Sequence, residues 1–225
     1  MIRTVLFDLD GTLADTAPDL AWALNQVLIE QGREPLPFET IRPVVSHGGM
    51  ALVRLGFAIE PSHPEFDALR NRLLEIYRAN IARETTLFPG MLQLLDTLEA
   101  RGLNWGVVTN KPAWLTEPLL EALGVHHRAA ASVSGDTLPQ RKPHPAPMLL
   151  ACEMAGSTGP QCLYVGDAER DIEAGRAAGM KTLVALFGYI GDDDIPEQWQ
   201  ADGAVETSLA ILEWLERHHH LAAAV

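Results

Sequence analysis

Six short apolar runs are spaced along this chain, and the stronger ones end abruptly in polar residues. They cover Thr4 to Leu9, Leu103 to Thr109, Cys162 to Gly166 and Thr182 to Phe187, with shorter ones near Ala130 to Ser134 and Ala204 to Val205. A run that is apolar at successive positions has no solvent face, so it fits a strand buried on both sides. Between the runs lie helical patterns at Met91 to Arg101, Trp114 to Leu123, Pro145 to Ala155, Glu169 to Ala178 and Ser208 to Arg217. This alternation predicts an α/β fold, a doubly wound parallel sheet with helices on both faces.

One segment breaks the alternation. From about Thr16 to Thr85 the pattern is helical almost throughout, including PDLAWALNQVLIEQG and HPEFDALRNRLLEIYRANIARE, and no convincing strand interrupts it. A stretch with its own apolar stripes, set between the first strand and the next βα unit, reads as an inserted helical subdomain. The FPG at 88–90 marks the return to the sheet. The expected division is therefore a core of residues 1–15 and 86–225, with 16–85 as the insertion.

The 225 residues, 47% hydrophobic, can bury a substantial core. A formal charge of −13 repels nucleic acid and anionic membrane surfaces, so any attraction for a phosphate must be local. No stretch approaches the roughly 20 apolar residues of a bilayer span. The opening MIRTVLFDLDG has too short an apolar run, and acids in the wrong place, for a signal peptide. A soluble cytoplasmic protein is expected, binding neither nucleic acid nor membrane. Cys152 and Cys162 lie in apolar stretches and read as reduced, buried thiols. The triplet His218, His219, His220 reads as a solvated helix end rather than a metal site.

In an open parallel sheet, ligands bind where the strands' carboxyl ends meet diverging loops. The first strand ends DLDGT, another VVTNK and a third VGDAERD, and Lys142 opens KPHP before a helix. Asp8 and Asp10 are one residue apart, and alternation along an extended strand would put both on one side. Two such carboxylates repel and favour a cation, which Asp167 helps to hold; an oxygen-rich site of this size suits magnesium.

DLDGT at 8–12, Thr109 in VVTN, Lys142 and GDAERD at 166–171 together resemble the four motifs of the haloacid dehalogenase superfamily of phosphotransferases, in order and over nearly the whole chain. The resemblance implies a Rossmann-like core, with the insertion as an α-helical cap. It implies magnesium-dependent hydrolysis of a small phosphate ester through an aspartyl phosphate on Asp8. Asp10 would be the acid and base, contributing its main-chain carbonyl to the metal, which replaces the three-carboxylate picture above. Thr109 would hold phosphoryl oxygens and Lys142 neutralise them. Asp167 would be the second metal carboxylate, and Asp171 would bind metal through water or orient Lys142. Ala168 departs from the pattern, which often has a hydroxyl there.

The run TNKP is similar to the phosphoglycolate phosphatase branch, and this makes Asn110 and Lys111 candidates for substrate contact. In the insertion, Ser46, His47, Gly48 and Gly49 form a small polar element flanked by Arg42 and Arg54. These would choose the substrate, or the glycines would only join two helices. The first substrate expected is 2-phosphoglycolate. The rival is a larger sugar phosphate, because the same features resemble N-acetylmuramate 6-phosphate phosphatases. A phosphomutase or a receiver-like phosphoacceptor is the alternative of another class, although a receiver lacks Asp10 and the insertion. Monomer and homodimer both remain open.

Overall fold

The computed structural model describes residues 1–219. In chain order it has β1 (Thr4–Phe7), β2 (Ala14–Asp15), α1 (Ala17–Glu30), α2 (Phe38–Ile41), α3 (Gly48–Phe57), α4 (Phe66–Ala79), β3 (Thr86–Leu87), α5 (Met91–Ala100) and β4 (Asn104–Val108). There follow α6 (Ala113–Ala122), β5 (Ala131–Val133), α7 (Ala146–Met154), β6 (Cys162–Gly166), α8 (Glu169–Ala177), β7 (Lys181–Ala185), β8 (Gly203–Val205) and α9 (Ala210–His219).

The main sheet has the order β5-β4-β1-β6-β7-β8, and every pairing in it is parallel. Each of the six apolar runs contributes one strand. Side chains alternate across the central strand: Val5 and Phe7 join the core on one face with Val107 and Val165, while Leu6 joins the core on the other with Val108 and Tyr164. Burial on both faces is what demands an unbroken apolar run. Truncating Phe7, fully buried at the centre, would cost roughly 3–5 kcal/mol. The chain leaves β1 for β4 and β5 on one side and returns to β6, β7 and β8 on the other, so the order reverses at β1. A crevice therefore opens at the carboxyl ends of β1, β4 and β6.

Between β2 and β3 the chain is helical, and α1, α3 and α4 pack on one another. On α4 the buried Phe66, Leu69, Leu73, Ile76 and Tyr77 recur at helical spacing and form its inner face. The sequence pattern contains no hint of β2 and β3, which pair antiparallel with Ala14 opposite Leu87 and Asp15 opposite Thr86. Two-residue strands are too short to show any periodicity. Beside this pair, the buried Asp19 carboxylate accepts hydrogen bonds from Glu84 N (3.0 Å), Thr85 N (2.9 Å) and Thr85 Oγ1 (2.7 Å), tying the start of α1 to the chain's return.

Cys152 and Cys162 are free and buried, with sulfurs 3.4 Å apart. His218 is exposed near the end of α9, whereas His220 lies outside the described residues. Among the described residues no helix is long and apolar enough to cross a membrane.

Candidate active site

Strand β1 stops at Phe7, and Asp8 extends its pairing by one residue through Asp8 N to Val165 O at 2.9 Å. The chain then turns back on itself, with Leu13 N donating to Asp8 O and Ala14 N to Leu9 O. Gly11 has φ +85, a left-handed conformation, and any Cβ there would collide with the Asp167 carboxylate, so only glycine serves. Asp8 and Asp10 both line one cavity, but past the end of the strand their carboxylates take different partners. Asp8 gathers with Asp167 and Asp171, each offering a carboxylate oxygen within 4.8 Å of the others. The Asp10 carboxylate instead accepts from Thr16 Oγ1 at 2.6 Å and from Lys111 Nζ at 2.8 Å.

Lys142 is the buried counter-charge of the acidic cluster. Its ammonium lies 2.8 Å from Asp8 Oδ1 and 2.7 Å from Asp171 Oδ1, and also donates to Val108 O and Tyr164 Oη at 2.9 Å each. Burial alone would pull the Lys142 pKa down, but Asp171 and Asp8 outweigh it and the net shift is upward. The main chain of Lys142 is clamped by Asn110, whose Nδ2 donates to Lys142 O (3.0 Å) and whose Oδ1 accepts from Lys142 N (3.1 Å). Asn110, expected as a substrate contact, thus has its amide engaged on the protein.

Asp171 Oδ2 accepts from Ala168 N at 3.1 Å, one half of a capping box at the start of α8. Ala168 has no hydroxyl to return the bond. Asp167 Oδ2 accepts from Tyr189 N (2.9 Å) and from the hydroxyl of Ser46 (2.6 Å), 121 residues away in the insertion. Asp167 Oδ1 is buried without a hydrogen-bond partner. Burial first, then repulsion by Asp8 and Asp171, push the Asp167 pKa up to about 7 against the pull of its two hydrogen bonds. An acid in that position calls for a cation.

The hydroxyl of Thr109 accepts from Lys111 N at 3.1 Å, leaving its own hydrogen to donate outward. Lys111 reaches Asp10 across the face of Tyr77, its Nζ 4.6 Å from the ring centre. Burial lowers the Lys111 pKa, yet Asp10 and Tyr77 together turn the net shift upward. Arg170 donates to Ser46 O at 2.6 Å, and one of its nitrogens lies 3.5 Å from His47 Nδ1. These groups surround a cavity of about 310 Å³. Asp8, Asp10, Thr109, Asn110 and Lys111 line the sheet side, and Ser46, His47 and Gly48 the opposite wall.

Arg42 and Arg54 do not line this cavity. The Arg42 guanidinium lies over the Tyr189 ring and donates to Phe187 O, while Arg54 pairs with Glu60 at 2.8 Å on the surface. Sequence reasoning missed Arg70, Leu74 and Tyr77 of α4, as well as Gly135, Arg141 and Arg170, all of which line the cavity. The i, i+4, i+7 spacing of the α4 trio was legible only as a helix face. Arg170 sits inside a recognised motif, beside Asp171. Gly135 abuts the Asn110 backbone so closely that a Cβ has no room, a contact no local pattern announces.

Similarity to known proteins runs along the same lines. A curated phosphoglycolate phosphatase of Xanthomonas campestris pv. campestris strain 8004 is 47% identical over 205 residues, 91% of this chain and 92% of that protein. An N-acetylmuramic acid 6-phosphate phosphatase of Pseudomonas putida KT2440 is 42% identical over 210 residues, 93% of this chain and 94% of its own. The crystal structure of a predicted phosphoglycolate phosphatase from Haemophilus somnus 129PT superposes with a TM-score of 0.84 at 29% identity, covering 95% of this chain and 97% of that one. The family model for haloacid dehalogenase-like hydrolases matches residues 5–185, from β1 through β7 and so across all four motifs. With its parallel sheet, its reversal at β1 and its acids at the strand ends, the chain belongs to the haloacid dehalogenase-like hydrolase family.

Proposed function

We propose that the chain is a magnesium-dependent phosphomonoester phosphatase that works through an aspartyl phosphate on Asp8, under a helical cap formed by residues 16–85. The observation that carries this reading is the clustering of Asp8, Asp167 and Asp171 within 4.8 Å of one another, with the buried ammonium of Lys142 on Asp8 and Asp171, beside a cavity whose wall includes Asp8 and Asp10.

The donor set fits magnesium. Asp167 Oδ1 has no hydrogen-bond partner, and among the described residues the Asp10 carbonyl accepts no hydrogen bond in its turn. Asp8, Asp167 and the Asp10 carbonyl would hold the ion; a few carboxylate and carbonyl oxygens, with water for the rest, are what it takes. When bound, magnesium neutralises phosphoryl charge that would otherwise repel the attacking carboxylate. Asp171 is committed to Lys142 and Ala168 N, so its role is to position Lys142.

A carboxylate oxygen of Asp8 attacks phosphorus as the ester P–O bond breaks, and Asp10 gives its proton to the departing alkoxide. Asp10 then takes a proton from water, which hydrolyses the acyl phosphate and restores Asp8. The Thr109 hydroxyl and nearby main-chain amides hold the equatorial oxygens, and Lys142 offsets their charge. Lys111 is the transferable cation, since a substrate anion competes with Asp10 for it.

The names of the relatives support two substrates, 2-phosphoglycolate and N-acetylmuramate 6-phosphate. The first follows from the TNKP resemblance. The second is favoured by the cavity's volume and its wall of Leu20, Val45, Leu74 and Leu115, apolar surface that a two-carbon acid leaves unused. Phosphate release from both compounds, with magnesium and with chelator, tests the proposal. Release that is brisk with the ion and lost without it is expected, and no release under magnesium would refute it.

A further inference from the structure

Arg70, Leu74 and Tyr77 stand at i, i+4 and i+7 on α4, and all three line the cavity. At the Tyr77 end the ring carries Lys111, which is 2.8 Å from Asp10. Seven residues toward the helix start, at 1.5 Å of rise each, put Arg70 about 10 Å further along. Helical side chains all lean toward the N-terminus, so the spacing between the two is kept. The helix is therefore a ruler with the reaction at one end and a guanidinium toward the other.

Two cations that line the cavity, Arg70 and Arg141, have no partner among the described residues, and of the two Arg70 is the half-buried one while Arg141 is exposed. Lys111, Lys142 and Arg170 each bond a carboxylate or carbonyl, whereas half-buried Arg70 has no ion pair, hydrogen bond or ring contact among the described residues. Its stem is flanked by Gly49, where an added Cβ would sit 3.8 Å from Arg70 Cγ and 3.3 Å from Leu74 Cδ2. A partly desolvated guanidinium held without a counter-charge is costly, and an anion on the ligand would offset that cost.

Reach decides which anion. In 2-phosphoglycolate the carboxylate carbon is roughly three bonds from phosphorus, about 4 Å, whereas a hexose 6-phosphate with an acidic ether substituent across the ring spans up to about 10 Å. We infer that Arg70 is the specificity-determining residue for the carboxylate of a phosphorylated sugar acid, with Leu74 and Gly49 bordering the space its ring occupies. This rests on the phosphatase reading and narrows its substrate.

The test compares kcat/KM for N-acetylmuramate 6-phosphate, for N-acetylglucosamine 6-phosphate, which has the same ring without the acidic ether, and for 2-phosphoglycolate. Wild type should favour the sugar acid over its neutral counterpart by roughly 10- to 100-fold, through KM, as one charge-assisted contact provides. Arg70→Met should bring that ratio toward one, and Arg70→Lys, which keeps the charge and the stem, should retain part of it. A ratio that survives in both variants overturns the assignment. A wild-type preference for 2-phosphoglycolate overturns it too while leaving the phosphatase reading intact. No release from any of the three sinks both.

Discussion

Removing the Asn110 amide separates two roles that adjacency to Thr109 makes easy to confuse. In Asn110→Ala, Lys142 loses both main-chain hydrogen bonds, at 3.0 and 3.1 Å, while its ammonium keeps the four contacts that surround it. Two neutral hydrogen bonds at about 1 kcal/mol each come to about 2 kcal/mol of stability, or a fall in Tm of roughly 4–8 °C for a chain of this size. The kinetic effect is larger in proportion. A displacement of about 1 Å in a group that must meet the phosphoryl oxygens costs on the order of 100-fold in rate, equivalent to about 2.7 kcal/mol of barrier. Steady-state phosphate release should show kcat down by that order with KM changed by less than about threefold, if the amide serves Lys142 rather than the substrate. A KM raised tenfold or more at unchanged kcat would refute the clamp and return Asn110 to the substrate-binding role that its sequence context implies.

Asp8→Asn should abolish turnover while leaving the thermal transition in place, and Asp10→Asn should slow the chemical steps by roughly 10²- to 10⁴-fold; appreciable activity in the first, or an unchanged rate in the second, would contradict the roles assigned. Asp167 sits at about 7, above its ordinary value because of burial and its two acidic neighbours, so the stability its protonation provides is full below about pH 4 and is lost as pH rises through 7. Magnesium should therefore raise Tm more at pH 8 than at pH 5; equal gains in scanning calorimetry at the two values would count against Asp167 as a ligand. Asp19→Ala leaves Glu84 N, Thr85 N and Thr85 Oγ1 without their acceptor, a loss of roughly 3–5 kcal/mol that should lower Tm by on the order of 10 °C, and a shift under 2 °C would show the clasp to be dispensable.

The sheet was legible because its strands are buried on both faces, and Val5, Leu6 and Phe7 have no polar neighbour between them to suggest anything else. The acids at its edge could be read from motif order, but their grouping could not. Strand alternation paired Asp8 with Asp10, yet β1 ends at Phe7 and the turn through Gly11 sends the two carboxylates to different partners. Nor could local pattern show that Ser46 reaches Asp167, since that bond depends on how the helical segment seats against the strand ends. The same holds for Tyr77 and Arg70. Their spacing gives a helix face, but which part of that face borders the cavity is settled by packing between α4, α1 and α3. Asn110 lines the cavity as its place beside Thr109 suggests, but local sequence does not show that its amide also holds the main chain of Lys142.

Seen from the sheet, the long helical excursion leaves and returns at a single spot, because the β2–β3 pair and the Asp19 clasp hold its two ends together. A closed excursion of this kind can grow or shrink at small expense to the scaffold, since each doubling of a loop adds only about 0.6 kcal/mol of closure entropy. On the roles proposed above, the residues that select a substrate can then change with the excursion while those at the strand ends stay as they are.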